Sequence, residues 1–439
     1  MLARNFATTT VSTVISMALS FGASVVLARI LGAELRGVYA LAILIPSTIY
    51  IFSTFGLTTA NIVFAGKYPE KRGAIAFQSF AHAGVMGALA IVFYAYLLTA
   101  QPAWFQRFQV VGRFNLILAS LLVFLNLAMV NLQSGVLGAN RIPVINIGTM
   151  AMPLSKILLV GILVWWLGFG VTGGILAQLG CFVFMVIYMA AATAVKVPVR
   201  TWKPDFCFFK KSISFGVKIY LDHIAWGVLH ALDKYMIAYM MPNSDRALGH
   251  YAMAAQFSQM LWILPQSLQT VFLPHLSVTQ ANKSILTART ARVLFIALSP
   301  IFILLTAGAP LIKVILGQDY AGSIVPFLLF LPGMFIFGAT RPLSSYFTHI
   351  EKPMYITVNS WIGASTNIVL NLYFIPRMGI AGAALASSIS SALMAFITIV
   401  FFRHETKLSL RQFVLRKDDF TAILIVLKRF TEKIKVSKK

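Results

Sequence analysis

The sequence is poor in charge, and poorest in acidic residues. Only 11% of its 439 residues are charged and only twelve are Asp or Glu, whereas a soluble protein carries about a quarter charged residues. Its two cysteines, Cys181 and Cys207, follow no disulfide or metal-binding pattern. It has no glycine-rich phosphate loop with an accompanying lysine, the motif that ATP hydrolysis needs. These shortages argue against an enzyme and against a metal or cofactor site.

Long apolar runs make up most of the sequence. Hydrophobic residues account for 59% of it, and a run of about 20 apolar residues is long enough to cross a bilayer. We therefore predict an all-α polytopic membrane protein with about twelve transmembrane helices joined by short connections. The predicted spans are 8–28, 38–60, 79–99, 115–138, 144–168, 171–195, 213–241, 247–273, 291–312, 324–349, 354–375 and 380–402.

Lysine and arginine in the connections predict the orientation, because cytoplasmic loops are enriched in them. The connections after even-numbered spans, with the two termini, hold 25 of the 36 basic residues, and those after odd-numbered spans hold seven. Both termini are therefore predicted to be cytoplasmic. The net charge of +24 fits this topology and anionic lipid better than it fits nucleic acid binding.

Short motifs recur at nearly constant offset and predict an internal repeat. The sequence GVYA at 37–40 is matched by GHYA at 249–252, and GVTGGILA at 170–177 is matched by GIAGAALA at 379–386. A basic residue near a proline also opens the fifth span of each half. With six spans each, the two repeats share one orientation and are related by an axis along the membrane normal, as in many transporters.

This repeat predicts two pseudo-symmetric six-helix lobes around a central cavity. The tail contains both basic and apolar residues, which fit an interfacial helix or a disordered segment equally well. The predicted parts are an N-lobe with helices one to six (1–195), a cytoplasmic linker (196–212), a C-lobe with helices seven to twelve (213–402) and a basic cytoplasmic tail (403–439).

The seventh predicted span is unusually polar. Its ionisable residues are Lys218, Asp222, His223, His230, Asp233 and Lys234. At 100° per residue they share one helix face. A charge at the bilayer centre costs about 2.5–3.5 kcal/mol, so this face must meet protein or water. We predict a cavity wall that binds an anion through its cations and exchanges protons or sodium ions through Asp222 and Asp233. The alternative is a neutralised polar helix inside a packed bundle, and Lys234 alone would fit a side chain that snorkels to the interface.

Other polar residues within spans extend this prediction. Lys156 lies midway along the fifth span, too deep to reach the interface, and is predicted to face the cavity. Arg341 in the tenth span and Arg29 at the end of the first fit either the cavity or the interface, and His82 fits helix packing. Amides on the fourth, eighth and eleventh spans either line the cavity or hold helices together.

Several of these motifs carry a family resemblance. The sequence ARILG at 28–32 followed by GVYAL at 37–41 resembles the opening of the Wzx-type polysaccharide-export flippases. DKYMI at 233–237 followed by GHYA resembles their seventh-span signature, and GIAGAALA resembles their final hairpin. The similarity runs the whole length of the chain and places it in the multidrug/oligosaccharidyl-lipid/polysaccharide exporter superfamily. It implies a two-lobed, twelve-span fold with a cationic central cavity.

The resemblance also implies a function. Such a flippase moves an undecaprenyl-pyrophosphate-linked oligosaccharide, an O-antigen or related repeat unit, from the cytoplasmic to the periplasmic leaflet of the bacterial inner membrane by alternating access. The expected partners are this lipid-linked substrate, membrane lipid, a polysaccharide polymerase and a chain-length regulator, without nucleic acid. The cavity cations expected to bind substrate are Lys156, Lys218, Arg341 and Arg29. The residues expected to line the cavity or couple H+ or Na+ are Asp222, Asp233, His230 and His223.

Two other functions remain as alternatives. A multidrug or cation antiporter of the same fold should present acidic residues to its substrate, whereas intramembrane Lys and Arg here outnumber Asp by four to two. A membrane glycan polymerase or acyltransferase should carry its chemistry on a long outer loop, which this sequence lacks. Lipid II flippases typically add two spans, and the sequence does not predict them.

Overall fold

The computed structural model describes residues 2–241, 244–278, 282–416 and 418–419, and most of this backbone is helical. Fourteen α-helices occur in the described residues. They are α1 (Leu2–Ser53), α2 (Leu57–Lys67), α3 (Arg72–Ala100), α4 (Arg113–Gly138), α5 (Ile142–Val160), α6 (Gly170–Ala194), α7 (Phe206–Met240), α8 (Ser244–Ser258), α9 (Ile263–Val278), α10 (Lys283–Ala307), α11 (Leu311–Leu316), α12 (Ile324–Ala339), α13 (Arg341–His349) and α14 (Met354–Thr406).

These helices coincide with the predicted spans. Helix α14 contains two complete predicted spans, and α1 contains one complete span and part of the next. Each of these helices changes direction at a glycine with positive φ, Gly32 (71°) in α1 and Gly379 (59°) in α14. By length and composition alone, eight helical segments among the described residues are long and apolar enough to cross a membrane. The prediction of an all-α polytopic membrane protein is confirmed.

Several predicted spans are interrupted. The eighth is divided by a 3-10 turn at Gln259–Trp262, and the fifth ends in a π-helical turn at Gly161–Trp166. The second breaks after α1, where Phe55 and Gly56 both have positive φ. A Cβ on Gly56 would lie 2.1 Å from the carbonyl oxygen of Gly216 on α7, so only glycine fits at this crossing.

The described helices pack into two compact units. The first comprises residues 1–253 with 313–322, and the second comprises 254–312 and the chain from 323 onward. Packing alone defines these units, whereas the lobe boundary predicted at 196–212 rests on the sequence repeat and stays a prediction.

Both repeated glycine motifs begin with a glycine of positive φ. Gly170 and Gly379 have φ of 53° and 59°. Three residues later, a Cβ on Gly173 or on Gly382 would lie 2.8 or 2.3 Å from a carbonyl oxygen of the preceding helix. In both motifs a left-handed glycine turns the chain and a second glycine lets the hairpin close tightly.

The other repeated motif makes a helix crossing within the first unit. A Cβ on Gly37 would lie 1.6 Å from the carbonyl oxygen of Asp245, and one on Gly249 would lie 1.9 Å from that of Ala33. The backbones of α1 and α8 are therefore in direct contact where the two motif copies meet. Small residues permit such close approach in membrane proteins.

Buried amides join helices in the second unit. On α14, Asn359 donates to the carbonyl of Met394 (3.0 Å) and to the hydroxyl of Thr398 (2.9 Å), and Asn367 donates to Ser387 (3.2 Å). Each bond links the two halves of α14 on either side of Gly379. Of the two roles considered for the amides of the eleventh predicted span, these contacts favour holding helices together.

The start of the tail is attached to α10. The Arg292 guanidinium lies 2.7 Å from the Asp419 carboxylate, and both side chains are buried. Burial raises the pKa of Asp419, but its bonds with Arg292 and the nearby Arg289 outweigh that effect and hold the pKa below its ordinary value. Residues 420–439, on which the interfacial-helix prediction depends, lie outside the described residues.

Candidate functional site

The break in α1 at Gly32 orients a buried cation of the first unit, Arg36. The Ala33 amide, freed by this break, donates to Asp319 Oδ2 (2.6 Å), and the Tyr320 hydroxyl donates to the Ala28 carbonyl (3.0 Å). A carboxylate on the first free amide of a helix acts as an N-cap, here supplied by a distant part of the chain. The second half of α1 therefore begins in a defined direction.

Arg36 lies one turn beyond this cap and is 7% exposed. Its guanidinium lies over the Tyr39 ring, 5.0 Å from the centroid, and Nη2 donates to Ser24 at 3.4 Å. Its buried Nε has no hydrogen-bond partner among the described residues. The sequence analysis assigns Arg36 to the connection after the first span and does not predict its burial. Gly32 is one of three glycines in α1, so the sequence alone did not show which of them breaks the helix.

Lys156 is joined to the same group through Gln178. Its amine donates to Gln178 Oε1 (2.6 Å), and the same oxygen lies 3.5 Å from the Tyr39 hydroxyl. Lys156 on α5, Gln178 on α6 and Tyr39 on α1 therefore form one chain of polar contacts that leads to Arg36. The partner of the Lys156 amine in this contact is a neutral amide, which does not balance the positive charge of the lysine.

A second group lies where α7 meets α8. The Asp233 carboxylate, 4% exposed, accepts a hydrogen bond from the Tyr251 hydroxyl. The neighbouring Lys234 is half-buried and lies within electrostatic range of both Asp233 and Arg36. The GHYA motif thus supplies the tyrosine that satisfies the buried aspartate.

Together these groups form a candidate anion site in the first unit, which we define as Arg36, Lys156, Lys234, Asp233 and their tyrosine and glutamine partners. The group holds three cations and one carboxylate, which already accepts a hydrogen bond. The other nearby carboxylate, Asp319, is paired with Arg246 and with the Ala33 amide. In surroundings of low dielectric, unbalanced positive charge is costly unless an anion enters. The arrangement suits the binding of a phosphate or carboxylate group.

The other predicted site residues are dispersed. Arg29 and His223 are exposed. Arg341 belongs to the second unit, where it donates to Gln269 (2.9 Å) and lies 5.2 Å from the centroid of the Trp262 ring. The side chains predicted at 218, 222 and 230 (Lys218, Asp222, His230) lie outside the described residues.

An apolar groove begins beside the candidate anion site. Its volume is about 540 Å³. It is lined by α1, α3, α7 and the connection after α3, with Phe52, Leu89, Phe93 and Trp104 among its walls. Tyr235, the residue after Lys234, also lines it and donates to Thr48 (3.0 Å). A cationic site and an apolar groove therefore adjoin at neighbouring residues of α7.

Comparison with known families and structures gives further findings. Residues 26–325 match the model of a family described as polysaccharide biosynthesis protein. No curated protein sequence matches the chain. The fold is similar to an inward-facing multidrug resistance MATE family transporter of the MOP superfamily, with a TM-score of 0.73 and 13% identity over 89% of this chain and 94% of that one.

Two other similar structures have related folds. The lipid II flippase MurJ, in an inward closed conformation, gives a TM-score of 0.74 at 15% identity over 92% of this chain and 88% of that one. A MOP superfamily transporter from Pyrococcus furiosus, whose reversed pocket polarity suggests a different function, gives 0.61 at 14% identity over 91% and 95%. At these identities the likeness shows the fold. The matched structures are transporters and a flippase.

Proposed function

The chain belongs to the polysaccharide biosynthesis protein family, and we propose that it is a flippase for an undecaprenyl-pyrophosphate-linked oligosaccharide of a surface polysaccharide. The observation that carries this proposal is the charge of the candidate anion site. Among the described residues of this site, the cations Arg36, Lys156 and Lys234 are accompanied by one carboxylate, Asp233, which is already bonded to Tyr251. A pyrophosphate is the anionic part of such a substrate and would balance these cations.

The apolar groove supports the lipid part of the proposal. A polyprenyl chain needs an apolar path, and the groove beside Tyr235 has about 540 Å³ and mostly hydrocarbon and aromatic walls. We propose that the pyrophosphate contacts the cations while the chain occupies or passes along this groove. The sugar would then be solvated by amides and water, which hydrogen-bond hydroxyl groups well.

The same charge argues against the antiporter alternative. A carrier of cationic drugs would gain from buried carboxylates, because a buried charge needs a counter-charge. In the candidate anion site, cations outnumber carboxylates by three to one. A multidrug antiporter therefore fits these residues less well than a carrier of anions.

The proposed setting is the bacterial inner membrane, with both termini in the cytoplasm and a polymerase and chain-length regulator as downstream partners. Transport would proceed from the cytoplasmic to the periplasmic leaflet. Direction requires that the ligand bind two conformations unequally. We propose that H+ or Na+ occupancy of Asp233, or of Asp222, provides that difference. If Asp222→Asn and Asp233→Asn each leave glycan export intact, this coupling is wrong.

The test of the proposed function is complementation of a flippase-deleted strain, with surface polysaccharide as the readout. Lys156→Gln and Arg36→Gln should reduce export by about tenfold or more, because a hydrogen bond to a charged group contributes about 1.5–3 kcal/mol. Lys156→Arg and Arg36→Lys should retain more of it. Lys203→Gln, which removes a charge from an exposed loop position, is the matched control.

Two results would contradict the proposal. One is full export by both glutamine variants at wild-type protein levels. The other is failure of the wild-type chain to restore any polysaccharide while it confers resistance to cationic drugs, which would favour the antiporter.

A further inference from the structure

A separate basic cavity lies in the first unit, at the ends of helices that the loop charges predict to be cytoplasmic. It has a volume of about 300 Å³ and is enclosed by α2, α3, α4 and α6 with the connections that follow α4 and α6. Three cationic side chains line it, Arg72, Arg141 and Lys196. None of the residues of the candidate anion site belongs to its lining.

The two arginines are held in place with part of their donor capacity in use. Arg72 Nε donates to the Ala65 carbonyl (2.9 Å), and Arg141 Nη1 donates to the Ala192 carbonyl. Each guanidinium has five N–H donors in a rigid fork, so most remain for a ligand. Lys196 is exposed and adds a mobile point charge.

No carboxylate is among the described residues that line the cavity, although Glu70 and Asp205 lie near lining residues in the sequence. Asp205 pairs with Lys71 at 2.8 Å. That bond, with the Phe208 amide, holds the pKa of Asp205 below its ordinary value. Asp205 is thus bonded to a lysine outside the lining, and Glu70 does not line the cavity either. The three lining cations therefore have no counter-charge within it.

Polar groups also form the inner end of the cavity. Ser79 and Asn131 line it and are both at most 1% exposed. Asn61 Nδ2 donates to the Ser79 hydroxyl and to the Asn131 carbonyl, both at 3.3 Å. Gln78 donates in turn to Asn61 Oδ1 (2.7 Å). This buried network fixes the inner end, while the remaining walls are small or aliphatic residues such as Ala76 and Val136.

We propose that this cavity is a binding site for a phosphate group, with Arg72, Arg141 and Lys196 as its ligands. Guanidinium groups bind phosphate oxygens in pairs, and basic pockets between helices on the cytoplasmic side of membrane proteins accept lipid headgroups. The phosphate can come from an anionic phospholipid or from a soluble phosphate, and the cavity chemistry is the same for both. Occupancy would link α2–α6 at that end of the unit and so stabilise it.

The experiment uses the full-length protein purified in neutral detergent. Inorganic phosphate is titrated while the unfolding temperature is followed, and the series is repeated in nanodiscs of phosphatidylcholine with and without phosphatidylglycerol. Lys196→Gln removes a cation that makes no hydrogen bond to the described residues. It should weaken binding by about threefold to tenfold, because it removes one charge-assisted contact at an exposed position.

Three further variants separate charge, space and folding. Lys196→Arg should restore affinity. Ala139→Leu should abolish binding by filling the cavity, since Ala139 is half-buried and lines it. Lys203→Gln, in the same connection but outside the lining, should bind as the wild type does.

The outcomes divide cleanly. Stabilisation by inorganic phosphate that is reduced in Lys196→Gln and lost in Ala139→Leu supports the site and shows that the free ion suffices. Stabilisation by phosphatidylglycerol alone, with the same variant pattern, supports it with a lipid headgroup as the source. No stabilisation by either probe, or equal effects of Lys196→Gln and Lys203→Gln, overturns it.

Discussion

Substitution of Gly249 by alanine tests the helix crossing that brings the two GxYA motifs together. A Cβ at this position would lie 1.9 Å from the Ala33 carbonyl oxygen, whereas ordinary contacts begin at 3.4 Å. The backbones of α1 and α8 would therefore have to separate by about 1.5 Å, because a carbonyl oxygen cannot rotate away as a side chain can.

Two opposing free energies decide the result. Overpacking costs about 1–3 kcal/mol, with this case near the upper end because backbone meets backbone. Alanine returns about 0.5–1 kcal/mol of helix stability, so Gly249→Ala should be destabilising overall. The shift would also disturb the Ala33–Asp319 cap and the direction of Arg36. We expect a lower unfolding temperature in detergent and reduced polysaccharide export.

The control lies on one of the same helices. Gly22 on α1 has nothing within 4 Å of a Cβ, so Gly22→Ala should be neutral or slightly stabilising. Gly37→Ala should behave as Gly249→Ala does, because its Cβ would lie 1.6 Å from the Asp245 carbonyl oxygen. Equal unfolding temperatures for Gly249→Ala and Gly22→Ala would refute the crossing.

Two other perturbations follow from the second unit. Asp419→Asn leaves Arg292 buried without its counter-charge, at a cost of about 3–5 kcal/mol, so trypsin should cleave the tail faster than in the exposed control Asp418→Asn. Because the pKa of Asp419 is depressed in the folded state, this anchorage should hold at neutral pH and weaken as pH falls through that pKa; pH-independent cleavage would contradict the ion pair. Gly379→Ala should cost about 1–3 kcal/mol because its φ is 59°, whereas Gly161→Ala has open space and a helical φ of −58° and should leave the unfolding temperature unchanged.

The local sequence pattern was sufficient to predict where most of the helices lie and where many of the turns between them occur. Hydrophobic runs of bilayer length are a one-dimensional signal, and most of each predicted span lies in helical backbone. The GVTGGILA and GIAGAALA motifs were recognised in the sequence as a repeat, and glycine is the residue that tolerates both the positive φ and the close approach found three residues apart in each. The interruptions were harder to place. The 3-10 turn at Gln259–Trp262 lies just before Pro265, whose ring and missing N–H disturb the carbonyl four residues earlier. Membrane helices often tolerate proline, so the proline alone did not predict a break.

Only some residues of the candidate anion site could be predicted from the sequence. Lys156 and Asp233 were found because a charge deep in an apolar run is conspicuous. Arg36 was missed, since its burial depends on a cap from Asp319, 286 residues away in the chain. The partners of the other two, Gln178 and Tyr251, are unremarkable in the sequence and become meaningful only beside the charge that they satisfy.

The sequence by itself determined that this chain spans a membrane, where its helices lie and that its interior carries more positive than negative charge. Those properties follow from composition and from periodicity, which act over one or two helical turns. Only the tertiary structure decided which charges are buried together, which already have partners and where cavities remain. The physical reason is that the energy of a buried charge depends on the few ångströms around it, and helices distant in the sequence supply those neighbours.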